Sequence, residues 1–147
     1  MDEVRFTTAD GPPPPLDHER LDVYVAARAL NRAVAEVIKK VPRGKGHADA
    51  LDDLRRAARS VAHNIAEASG EFSAPDKARF CRYARRSATE CAGSLDYLVD
   101  FGLIDERDTW EAKWLVHRCT GMLVKLARSL DARAARDKAA RRGSRRQ

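Results

Sequence analysis

Between residues 21 and 130 the apolar side chains recur every three or four positions, in separate runs broken by short turn signals. That period puts them on one stripe of a helix, and a stripe must be buried against other helices. In the first run Val23, Ala27, Leu30, Val34, Val37 and Val41 form the stripe, stopped by Pro42 and the Gly44–Gly46 region. A second helix is expected from about Ala48 to Ala68, with Leu51, Leu54, Ala58, Val61, Ile65 and Ala68 inward and Gly70 as its C′ residue. Ser73 and Asp76 read as the cap of a third helix, with Pro75 in its first turn, where a missing N–H costs nothing. Its stripe is Phe80, Ala84, Ser87, Cys91, Ser94 and Leu98, flanked by Tyr83 and Leu95, and Gly102 ends it. A fourth helix starting near Asp105 or Asp108 carries Leu115, Cys119, Met122, Leu126 and Leu130, with Trp110 and Trp114 in its first turns. Gly93 inside the third helix costs about 1 kcal/mol against Ala, and close approach of a neighbouring helix is the expected compensation.

Short connections force sequential helices to run antiparallel. The expected fold is therefore all-α, an up-down-up-down antiparallel four-helix bundle over residues 17–130, with Asp17 capping its first helix. Residues 1–16, which hold Pro12–Pro15, are expected to be disordered. Residues 131–147 form a basic tail that is partly helical.

No apolar run approaches the roughly 18 residues of a membrane span. The N-terminus lacks the basic start and apolar stretch of a secretory signal. Cys81, Cys91 and Cys119 are odd in number and unpaired by motif, which fits reduced core thiols of a cytoplasmic protein.

Formal net charge is +6. Residues 131–147 carry seven cations (Arg133, Arg136, Lys138, Arg141, Arg142, Arg145 and Arg146) against Asp131 and Asp137, a net of +5. Such an arm suits a phosphate backbone, and it equally suits a solvated, disordered end. Arg55, Arg56 and Arg59 form a second basic cluster, and Arg79, Arg82 and Arg86 recur at i, i+3, i+7 to form a third. Guanidinium groups favour bidentate phosphate contact. With few aromatics, contact to the backbone of a folded or duplex RNA or DNA fits better than single-strand base readout. The competing reading pairs the helix arginines with their own acids, such as Asp52 and Asp53.

Five polar residues lie beside the seam rather than opposite it. Ser60, Asn64 and Glu67 share a face of the second helix, and Ser87 and Glu90 lie one turn apart on the third. Hydrogen bonds across the interface of these helices, or to a neighbouring subunit, would fix register; an unpaired buried polar group costs about 1–3 kcal/mol. Catalysis is not expected. His63 and Glu67 alone do not make a metal site, and GKGH at Gly44–His47 lacks both the P-loop spacing and a preceding strand. No cofactor is expected.

LDVYVAARAL at Leu21–Leu30, SVAHNIAEASG at Ser60–Gly70 and RFCRYARRSATE at Arg79–Glu90 resemble the signature blocks of one family. It is the 23S rRNA intervening-sequence proteins, also called four helix bundle proteins, which include relatives of the accessory variability determinant of diversity-generating retroelements. The chain departs at Ala68 and Arg86, where the family usually has glycine. The resemblance implies a four-helix protomer, often a ring-like homo-oligomer with a pentamer favoured, and a nucleic-acid-associated role without catalysis. It also implies a reverse transcriptase as a partner of some relatives. The combined expectation is a non-catalytic nucleic-acid-binding accessory protein. A scaffold that docks a protein without touching nucleic acid is the alternative.

Overall fold

The computed structural model describes residues 11–44 and 46–145. Among these the chain forms four α-helices and no strand: α1 (Asp22–Lys40), α2 (Ala48–Gly70), α3 (Ala74–Asp100) and α4 (Trp110–Ser144). Short 3₁₀ turns at Asp17–Arg20 and Glu106–Thr109 precede α1 and α4. Each helix packs on two neighbours, α1 on α2 and α4, and α3 on α2 and α4, with α3 making the broadest contacts. That closed arrangement is a four-helix bundle.

All six residues of the first expected stripe are buried, and so are five of the six in α2, Leu51 being half-buried. The α3 and α4 seams differ from expectation. In α3 the buried row is Ala74, Ala78, Cys81, Ala84, Ser87, Ala88, Cys91, Leu95 and Leu98, while Phe80 and Ser94 sit at its edge and Tyr83 is exposed. In α4 Ala112, Val116, Cys119, Leu123 and Ala127 are buried, and Leu115, Met122, Leu126 and Leu130 are only half-buried beside them. The reason is spacing: interaxial distance follows the side chains at the contact. Ala84, Ala88 and Cys91 of α3 and Ala112 and Cys119 of α4 are the small side chains in these rows, and the larger Phe80, Leu115 and Leu126 lie beside them.

The helix ends are set by local chemistry. Ser73 caps α3, its Oγ accepting from the Asp76 N–H at 3.2 Å, with Pro75 in the first turn. At the other end Gly102 takes a left-handed φ of 66°. Its N–H donates to Val99 O at 2.9 Å, and that of Leu103 donates to Leu98 O at 2.9 Å. These paired bonds make a Schellman stop that needs glycine at this position. Gly70 does not act as a C′ residue. It is the last residue of α2, and its φ is not positive. The ammonium of Lys77 replaces that cap, donating to Ala68 O at 3.3 Å and Ser69 O at 3.2 Å, a cation on the negative end of the helix. Asp17 does not cap α1 either; it opens the first 3₁₀ turn, and α1 starts at Asp22.

Gly93 is exposed, and a Cβ built there would meet nothing within 4 Å. Close approach within the protomer therefore does not explain it. Leu16 and the prolines before it are exposed and outside any helix, and residues 1–10 of the expected disordered segment lie outside the described residues. No helix among the described residues is long and apolar enough to cross a membrane.

Candidate nucleic-acid interface

The polar motif residues separate into two groups. Ser60, Asn64 and Ser87 form one network where α2 meets α3. Ser87 Oγ donates to Ser60 Oγ across the interface at 2.9 Å. Asn64 Nδ2 donates to the same Oγ at 3.0 Å and to Ser60 O at 2.9 Å. Ser87 is buried, and Ser60 and Asn64 are half-buried. Glu67 and Glu90 are exposed and take no hydrogen bond or ion pair among the described residues. Glu90 lines the open groove between α2 and α3 together with Asp53, Arg56, Gly93 and Tyr97.

The helix arginines are largely committed within the protomer. Arg55 pairs with Asp52 at 2.7 Å and Arg56 with Asp53 at 2.8 Å. Arg55 and Arg59 line a recess between α1 and α2, and Arg56 lines both that recess and the α2–α3 groove. Arg79 pairs with Asp76 at 3.2 Å and lies over the Phe80 ring at 5.3 Å. Arg82 pairs with Asp131 of α4, and Arg86 lies over Tyr83 at 5.9 Å. Only Arg59 among these six has neither an ion pair nor an aromatic partner among the described residues. Each pair is exposed, so it adds little to stability, but it neutralises a charge that would otherwise face a partner.

The C-terminal arm is different. α4 continues past the bundle to Ser144, and from Leu130 that extension is roughly 21 Å long at 1.5 Å per residue. Arg133, Arg136, Lys138, Arg141, Arg142 and Arg145 are exposed along it, with no ion pair among the described residues. Asp137 is the one carboxylate in that stretch beyond Asp131. Arg146 lies outside the described residues. Arg133, Lys138, Arg141, Arg142 and Arg145 line a recess of about 720 Å³ with the α2–α3 turn, where Phe72 is wholly exposed.

Phe72 is a residue the periodicity does not single out, because it lies between two stripes. Its signal is an aromatic in a turn, directly before the serine that caps α3. At the opposite end of the bundle, Trp110 and Trp114 of α4 are also exposed, with His117 edge-on to Trp114 at 5.9 Å.

Cys81, Cys91 and Cys119 are buried and unbridged. Burial pushes the Cys91 thiol up to about 12 and Cys119 to about 11, and it raises Cys81 as well. They remain protonated, poor nucleophiles at neutral pH. Among the described residues no group of three or more His, Cys, Asp or Glu side chains is gathered in a way that could hold a metal ion.

The family model described as 23S rRNA-intervening sequence protein matches residues 19–125, which span all of α1–α3 and the first half of α4. No match is found among curated proteins.

Proposed function

Because the chain belongs to the 23S rRNA-intervening sequence protein family, we propose that it is a non-catalytic accessory protein that binds RNA or DNA through phosphate contacts. The observation that carries this reading is the α4 extension, a helical arm with six exposed cations and one unpaired carboxylate beyond the family-matched segment. Cations that have no ion-pair partner among the described residues are available to release counterions from a phosphate backbone. Arg59 adds to that surface, and the paired Arg55, Arg56, Arg79, Arg82 and Arg86 contribute only by exchanging their carboxylates for phosphates.

Assembly is part of the proposal. The protomers form a ring-like homo-oligomer, a pentamer favoured, which would repeat the basic arm around one face. Exposed Glu67 and Glu90 and the half-buried row Leu115, Met122, Leu126 and Leu130 are the surfaces such contacts would use. The site of action is the cytoplasm.

The test is RNA and DNA binding at several salt concentrations, with light scattering for mass. If all six arm cations contact phosphate, log K falls against log salt with a slope of up to about −5 on duplex. Removing residues 131–147 abolishes most of that slope. Binding that is salt-independent, or unchanged by the truncation, refutes the reading. A protein scaffold that docks a partner such as a reverse transcriptase is the second reading, favoured by exposed Trp110 and Trp114 far from the arm. Co-purification of a protein that is lost in a Trp110→Ala, Trp114→Ala variant, with no nucleic acid bound, would select it.

A further inference from the structure

The recess between the α2–α3 turn and the α4 arm combines two chemistries. One wall carries Arg133, Lys138, Arg141, Arg142 and Arg145 with Asp137 as its one carboxylate, and the other carries Ser73 and the exposed Phe72. Its volume of about 720 Å³ is in the range of small-ligand clefts, about 300–1,000 Å³. Phe72 is 101% exposed, so it contributes nothing to the core. Yet the turn that carries it is held at both ends, by the Ser73 cap on α3 and by Lys77 on the last carbonyls of α2. Covering that side chain costs rotamer entropy but little backbone ordering, because the turn is already held.

We propose that Phe72 is the stacking platform for an unpaired base whose phosphates lie on Arg141, Arg145 and Lys138. The ligand class is an unpaired nucleotide of RNA or DNA at a strand end or bulge, next to the duplex that the arm follows. This rests on the nucleic-acid reading above and sharpens it. A bare phosphate would leave the ring unused, and a continuous duplex has no free base face to offer it. A nucleotide satisfies both walls at once, its π-face on the ring and its phosphate on the guanidinium groups.

The experiment uses the full chain and two hairpins, made in RNA and in DNA, that differ only in a single-stranded overhang containing 2-aminopurine. Binding to the overhang hairpin changes the 2-aminopurine fluorescence, and Phe72→Ala weakens that binding about tenfold. The same variant binds the blunt hairpin as the parent does and keeps its salt slope. Phe72→Trp retains the overhang preference, whereas Arg141→Ala with Arg145→Ala weakens both hairpins. Phe72 is fully exposed, so the variants test recognition rather than folding. Equal affinity of Phe72→Ala and the parent for the overhang hairpin overturns the proposal, as does equal weakening on both hairpins. A drop in oligomer mass with unchanged nucleic-acid binding also overturns it and assigns the ring to a contact between subunits. If the parent binds neither hairpin, the nucleic-acid reading itself falls.

Discussion

The Ser60–Asn64–Ser87 network makes a quantitative prediction about what holds α2 and α3 in register. Ser60 Oγ is the shared acceptor, taking one hydrogen from Ser87 and one from Asn64. Ser60→Ala removes it. The Ser87 hydroxyl, on a residue only 7% exposed, is then left without a partner, a loss of about 1–3 kcal/mol. Asn64 suffers less, because its bond to the residue 60 carbonyl survives and water can reach it. The expected total is about 1.5 kcal/mol, or a drop of about 3–6 °C in Tm for a chain of this size. Ser87→Ala removes the donor instead and leaves a half-buried acceptor that still holds Asn64, so it costs only about 0.5–1 kcal/mol. The double variant removes both partners and leaves no buried orphan. Its cost should lie below that of Ser60→Ala alone, a coupling of about −1 kcal/mol in the double-mutant cycle. Urea unfolding followed by circular dichroism, at one fixed protein concentration so that assembly does not shift the midpoint, measures all four corners. Additivity within about 0.3 kcal/mol would refute the shared-acceptor argument, as would a larger cost for Ser87→Ala than for Ser60→Ala.

Gly93→Ala should stabilise the protomer by about 1 kcal/mol, read as a higher urea midpoint, because no atom lies where the new methyl group goes. If light scattering instead shows a lower mass for the variant than for the parent, the glycine is an intersubunit contact. The three thiols should be silent to a thiol reagent at pH 8 and react together once urea is added. Their native pKa values, about 12 for Cys91 and about 11 for Cys119, lie above the roughly 8.5 of an unfolded cysteine. The folded chain therefore keeps protons that the unfolded chain releases. The stability they add is complete below about pH 8.5 and is lost as pH rises toward the native values, by up to about 1.4 kcal/mol per pH unit per thiol. Urea midpoints at pH 7.5 and 9.5 check it. Deleting residues 131–147 removes the exposed Arg82–Asp131 pair and nothing from the core, so the loss of stability should be under about 1 kcal/mol while helical ellipticity falls.

How much of this was legible in the sequence depends on what each residue type reports. The stripes of α1 and α2 were readable because branched or long apolar residues recur within them at helical spacing, Val23, Leu30, Val34 and Val37 in α1 and Leu54, Val61 and Ile65 in α2. In α3 the seam from Ala74 to Cys91 is alanine, cysteine and serine, and in α4 alanine and cysteine alternate with Val116 and Leu123, so the larger Phe80, Leu115 and Leu126 beside these rows dominate the hydropathy pattern. Bulk reports where a helix is apolar; it does not report how closely the neighbouring helix comes. The same limit applies at α2's end. Gly70 looks like a stop, but the carbonyls there are satisfied by Lys77, seven residues on and in the next helix, a partner that only the fold brings near.

Charge clusters are similarly ambiguous until their partners are known. Arg55, Arg56 and Arg79 look like a phosphate-binding surface by count, yet each sits three residues from the aspartate that it contacts, a pairing open to any helix with acid and base at that spacing. In the arm Asp137 has Arg133 and Arg141 at i−4 and i+4, yet it forms no ion pair among the described residues. Asp131 is spent on Arg82, and Asp137 is the remaining carboxylate among six exposed cations between residues 132 and 145. An isolated helix of this length is marginal in water, and repulsion between arginines one turn apart weakens it further. Its helical form therefore draws on continuity with the packed part of α4. An anion laid along it would relieve the repulsion and lengthen the ordered segment. Helical ellipticity should thus rise when nucleic acid binds, and should not rise in the truncated chain; a rise of equal size in both would place the ordering elsewhere.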